Sequence, residues 1–168
     1  MVRHLPQRPL VLAFIVTALS ISSCQPRPAQ AYNPEVYTND PERVAILTIL
    51  MEAYGEGTKG MTAVGEVIRT RARERSLSWA EVCLQPKQFS CWNGMKRENI
   101  LSTFDYHRHG YRLEHYEKAK IAWEKSAFTN YTKGANLYYA PKLASPSWAK
   151  KTPLVAVIGN HNFHREKR

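Results

Sequence analysis

Cysteine is scarce, with three in 168 residues. None is spaced Cys-x-x-Cys, so there is no thiol frame for a zinc ribbon or a dithiol redox centre. No His-Glu-x-x-His stretch and no Gly-x-Ser-x-Gly turn occur, which excludes a zincin helix and the nucleophile elbow of an acyl-transfer enzyme. His107-x-His109 and His161-x-x-His164 are short pairs without a third spaced ligand, and neither metal nor cofactor is expected. Acidic residues are few: 14 Asp+Glu stand against 24 Lys+Arg, a formal net charge of +10. A surface so basic calls for an acidic partner.

Long apolar runs are also missing. The longest, Leu10 to Ile21, is about a dozen residues, short of the roughly 20 that a membrane-spanning helix needs. Arg3 and Arg8 precede it and small residues follow, the layout of a secretory signal. Ile21-Ser22-Ser23-Cys24 reads as a lipobox, which predicts cleavage before Cys24 and its lipidation. Residues 1–23 are then the signal peptide, 24–40 the lipidated cysteine and a Pro-rich tether, and 41–168 a single domain. Ala29-Gln30-Ala31 offers the alternative of ordinary cleavage and a soluble secreted chain. Either way the protein is expected outside the cytoplasm, as a membrane-anchored monomer in the first case, and nucleic acid is not an expected partner.

Helical signals come first along the chain. Asp40 is placed to cap a helix beginning at Pro41, with Val44, Leu47, Thr48 and Met51 on one face. Glycines at 55, 57 and 60 break it, and Thr58 is placed to cap a second helix with Met61, Val64, Ile68 and Ala72 as its stripe. Ser78-Trp79-Ala80-Glu81 predicts a capping box and a short third helix ending before Pro86. Leu113, Tyr116, Ala119, Trp123 and Ala127 mark a fourth, amphipathic helix, and strands are expected over Leu137 to Ala140 and Leu154 to Ile158. Helices followed by a small late sheet make an α+β domain.

Chemistry concentrates where the first helix meets the glycines, at Glu52 and Glu56. A carboxyl group at such a seam can be part-buried yet face a cleft, the setting of a general acid. Cys83 and Cys91 bracket a downstream loop containing Gln88, Phe89 and Ser90. Export permits a disulfide between them, and two small buried apolar residues are the other reading.

Four segments, in order, carry a resemblance: Glu52-Ala53-Tyr54-Gly55-Glu56, Pro86-Lys87-Gln88-Phe89-Ser90-Cys91-Trp92, Gly134-Ala135-Asn136-Leu137-Tyr138-Tyr139 and Gly159-Asn160-His161-Asn162-Phe163. Together they resemble the bacterial cell wall hydrolases of the SleB/CwlJ type. Met51, Tyr54, Thr70 and Asn136 depart from that pattern, while both glutamates are kept. The resemblance implies a lysozyme-like, lytic-transglycosylase-like domain that cleaves peptidoglycan between MurNAc and GlcNAc. It implies Glu52 as the catalytic acid, with Glu56 a second candidate. A single acid suits a transglycosylase, in which the muramyl C6 hydroxyl closes a 1,6-anhydro ring; a hydrolytic muramidase or glucosaminidase, or a non-catalytic wall-binding lipoprotein, are the alternatives. Gln88 and Ser90 are expected to contact sugar polar groups. Phe89, Trp92, Tyr138 and Tyr139 would serve as ring platforms or as core, and Asn160 and His161 would line or brace the cleft.

Overall fold

The computed structural model describes residues 40–95, 99 and 113–166. The expected signal, Cys24 and its tether, and His107 and His109 lie outside the described residues.

Helix α1 (Pro41–Ala53) starts as its sequence predicts. The Asp40 carboxylate accepts the free N–H groups of Glu42 and Arg43 at 3.1 and 3.2 Å, and Pro41 has no N–H to satisfy. Its burial is not one-sided as expected: every residue from Val44 to Leu50 is buried, because α1 is the central helix and neighbours cover it all round. Thr48 survives there because its hydroxyl donates to the Val44 carbonyl at 2.7 Å and accepts the Trp92 indole N–H at 2.9 Å.

A 3-10 turn over Tyr54–Glu56 leads into α2 (Gly57–Arg75). Thr58 does not cap α2 as predicted; it lies inside the first turn, where its carbonyl accepts the Thr62 hydroxyl at 2.8 Å. Helix α2 serves two cores at once. Met61, Val64, Ile68 and Ala72 join the cluster around α1, while Ala63 and Val67 pack with Ala135, Ile158 and Phe163 on the sheet side.

Helix α3 (Trp79–Leu84) has the predicted capping box, with Ser78 and Glu81 exchanging bonds. Helix α4 (Leu113–Lys125) fully buries Ala119, Ala122 and Trp123, whereas Leu113 is exposed and Ala127 falls beyond its end. The loop after α4 is bound down by Glu66, a buried carboxylate on α2. It accepts from the hydroxyls of Thr129 and Thr132 at 2.7 Å each and from the N–H groups of Tyr131 and Thr132 at 2.9 and 2.8 Å.

Strands β1 (Leu137–Tyr139), β2 (Leu154–Ile158) and β3 (His161–His164) form an antiparallel sheet in the order β1-β3-β2. The third strand, within the closing motif, was not among the expected elements. Tyr138 pairs with Phe163, and Tyr139 with Asn162, so the two tyrosines point to opposite faces. The sheet face carrying Tyr138 and Phe163 lies against α2 and the end of α1.

Candidate active site

Glu52 sits in the last turn of α1, half-buried, where the helical part meets the sheet. Three donors converge on its carboxylate. Oε1 accepts from the Ser90 hydroxyl and the Cys91 backbone N–H, both at 2.9 Å, and Oε2 accepts the Tyr138 hydroxyl at 2.9 Å.

Each donor is placed by packing nearby. Ser90 and Cys91 open a 3-10 turn whose flanking aromatics, Phe89 and Trp92, are 1% and 7% exposed in the helical core. Tyr138 projects from β1 and is boxed by His161 edge-on at 5.3 Å, Phe163 at 5.6 Å and Phe89 at 6.4 Å between ring centroids. Burial, then the negative charge of Glu52, pushes the Tyr138 phenol well above its usual value, so it remains an O–H donor. Behind it the buried Arg71 donates to the carbonyls of Asn136 at 2.7 Å and Gln88 at 3.2 Å, and lies over the Phe89 ring at 5.0 Å. Burial lowers its pKa while Tyr138 favours its charged form, and a guanidinium keeps its proton under both influences.

Glu56 turns elsewhere. Its carboxylate accepts the Asn160 backbone N–H at 2.7 Å and the Asn160 side-chain amide at 3.0 Å. Burial alone would raise its pKa. The two Asn160 bonds, with His161 and Lys142 nearby, outweigh that and hold it below the ordinary carboxylate value.

Several expected contact residues are engaged within the protein. The Gln88 side-chain oxygen accepts from Arg75 at 2.8 Å, tying the loop to α2. Phe89 and Trp92 are core and cannot be ring platforms. Tyr139 faces away from Glu52, packed edge-on to Trp148 at 5.5 Å and against His164 at 5.7 Å, because strand neighbours alternate sides. Ser90 and Tyr138 do lie at Glu52, and Asn160 is exposed at the sheet tip. His161 is buried beside Tyr138, its Nδ1 without a partner among the described residues.

The disulfide reading is corrected: Cys83 and Cys91 are free thiols. Burial raises Cys83 to about 12, and burial with the adjacent Glu52 charge pushes Cys91 higher still, so both stay protonated. Among the described residues no three His, Cys, Asp or Glu side chains are grouped to hold a metal ion.

Sequence reasoning passed over Arg71 as a site residue, although its position between Ile68 and Ala72 of the apolar stripe was a signal that the cation is buried. It also missed Tyr54, whose hydroxyl is 2.7 Å from His115 Nε2 on α4, a pairing across 61 positions that no local pattern announces.

The model of the Cell Wall Hydrolase family matches residues 55–164, nearly two thirds of the chain. The chain belongs to the cell wall hydrolase family. The matched range of this cell wall hydrolase begins three residues after Glu52 and includes Glu56, Ser90, Tyr138, Asn160 and His161. Its fold is similar to the catalytic domain of the Bacillus cereus SleB protein, with TM-score 0.59 and 22% identity, over 83% of this chain and 100% of that domain. It is also similar to the catalytic domain of the germination-specific lytic transglycosylase SleB from Bacillus anthracis, with TM-score 0.57 and 21% identity, over 81% of this chain and 98% of that one. At that identity the likeness establishes the fold, the expected lysozyme-like α+β plan. No curated protein is a significant match to the sequence.

Proposed function

We propose that this cell wall hydrolase cleaves the glycan strands of peptidoglycan between MurNAc and GlcNAc as a lytic transglycosylase, with Glu52 as the single acid and base. One observation carries the reading: Glu56 is committed to Asn160, while two of the three donors on Glu52, the Ser90 and Tyr138 hydroxyls, can exchange direction. A two-carboxylate hydrolase needs a nucleophile or base across the bond from its acid. A transglycosylase does not, because the muramyl C6 hydroxyl supplies the nucleophile and one glutamate gives and then receives the proton.

The donors around Glu52 decide where that proton rides. Oε1 faces a backbone N–H, which can only donate, together with the Ser90 hydroxyl. Oε2 faces the Tyr138 hydroxyl, which can rotate to accept. The fixed N–H at Oε1 favours Oε2 as the oxygen that carries the hydrogen of the protonated acid. From there it passes to the glycosidic oxygen; the C–O bond to the leaving sugar breaks, the C6 oxygen bonds to C1, and the C6 proton returns to Glu52.

Digestion of purified sacculi followed by mass spectrometry tests this. We expect muropeptides with 1,6-anhydro ends, and turnover lowered roughly 10²–10⁴-fold in Glu52→Gln, which keeps shape but has no proton to transfer. Reducing ends would mean a hydrolase. Absence of cleavage would mean a wall-binding protein, and near-normal activity of Glu52→Gln would remove the residue from its role. We also propose that the chain is exported and anchored through lipid on Cys24, with residues 41–168 as the catalytic domain.

A further inference from the structure

Glu52 and Glu56 both bond across the junction between helices and sheet, but to different parts of the sheet: Glu52 to Tyr138 on β1, Glu56 to the turn between β2 and β3. That turn is Gly159-Asn160, a two-residue loop closing the Ile158–His161 pair, with Gly159 at φ +57°. Glycine at the first position suits the tight hairpin. Glycine is needed there for a second reason, since a Cβ would overlap Glu56 Oε2. Gly60, on the first turn of α2, likewise leaves room for the Glu56 Cβ. The Glu56 side chain is thus fitted between two glycines, Gly60 at its Cβ and Gly159 at its carboxylate, and the carboxylate grips both the backbone and the side chain of Asn160. The residue after Asn160 is His161, whose ring stands edge-on to Tyr138.

We propose that Glu56 is a positioning residue: its ionised carboxylate clasps the Gly159–Asn160 turn and so sets the sheet, with Tyr138 and His161, against Glu52. The functional consequence rests on the reading of Glu52 as the acid. The groups facing Glu56 support its charge: two Asn160 donors from the turn, His161 from β3 and Lys142 beyond β1. Glu52, four residues earlier in the last turn of α1, is occupied with its own three donors. Because the Glu56 pKa is lowered by folding, the clasp holds at and above the ordinary glutamate value of about 4.3. It is lost as pH falls through the lowered folded value.

The test uses the ¹⁵N-labelled full chain and two readouts. In an NMR pH titration the Asn160 amide proton should move downfield on ionisation with a midpoint below that of an ordinary glutamate, and this step should vanish in Glu56→Gln. In glycan cleavage at saturating substrate, Glu56→Gln and Asn160→Asp should each lower turnover roughly 10–100-fold, since misplacement of about 1 Å has that effect. The double variant Glu56→Gln/Asn160→Asp should recover most of the loss. In it the new amide donates to the new carboxylate, and the amide oxygen still accepts the backbone N–H at position 160. An Asn160 amide that does not titrate would overturn the clasp, as would full activity in Glu56→Gln. A double variant as inactive as Glu56→Gln would show that the carboxylate itself takes part in chemistry, which also overturns it. The amide titration decides the clasp whether or not glycan is cleaved, so a failure of the Glu52 assignment is read separately.

Discussion

At the scale of single residues, the difference between Glu52 and Glu56 lies in the kind of donor each one meets. Asn160 offers only N–H groups to Glu56, and these stabilise a fixed anion. Glu52 meets one N–H and two hydroxyls, and a hydroxyl can follow a proton as it leaves and returns. Tyr138→Phe isolates that property, because it deletes one oxygen and leaves the ring in its box of His161, Phe163 and Phe89. Turnover should drop roughly tenfold, the equivalent of one hydrogen bond of about 1.4 kcal/mol, with KM little changed. Steady-state kinetics on defined glycan strands checks it; a rise in KM with unchanged kcat would mean that the hydroxyl binds substrate.

At the scale of elements, local chemistry explains the ends of helices and tertiary contacts explain their faces. The Asp40 cap, the Ser78–Glu81 box and the short third helix were legible because their partners lie within three residues. The failed Thr58 cap shows the limit: Gly57 at φ +66° lets the helix begin two residues earlier than a Thr58 cap would, and Glu56, at the capping position, sends its side chain to Asn160. Glu66 is a similar case, reading as an ordinary helical glutamate yet buried under a loop more than 60 residues away. Glu66→Ala leaves the part-buried Tyr131 N–H and the buried N–H and hydroxyl of Thr132 without their acceptor, while the Thr129 hydroxyl keeps the Lys125 carbonyl, and should destabilise the protein by about 3 kcal/mol. Urea unfolding should show the lower midpoint, and hydrogen exchange should speed first at Tyr131 and Thr132. Slow exchange there in the variant would mean that the loop holds without the carboxylate.

For the whole molecule, the helical core and the sheet are two packed bodies of side chains sharing α2, and Glu52 lies where they meet. No helix among the described residues is long and apolar enough to cross a membrane. Retention at a membrane would then rest on the proposed lipid at Cys24, aided by attraction of a +10 chain to anionic headgroups. Cys24→Ala should move the protein from the membrane pellet to the soluble fraction, or leave it unprocessed. A wild-type N-terminus at Tyr32 without lipid would favour cleavage after Ala31 instead.

The sequence by itself determined the starts of α1 and α3, the α+β order, the kinship of the four motifs and the position of both glutamates, because those depend on neighbours a few residues apart or on pattern. Only the tertiary structure decided what the motifs do. Phe89 and Trp92 resemble sugar platforms in a list of residues but support Ser90 and Cys91 from the core. Tyr138 and Tyr139 look alike in sequence, yet the pleat sends one to Glu52 and the other to Trp148. The glutamates look like a catalytic pair, and partners 86 and 104 positions away give them separate tasks. The physical reason is common to all three: a side chain's role here is set by which donor or core surface reaches it through space, and that is fixed by packing between elements rather than by the spacing along any one of them.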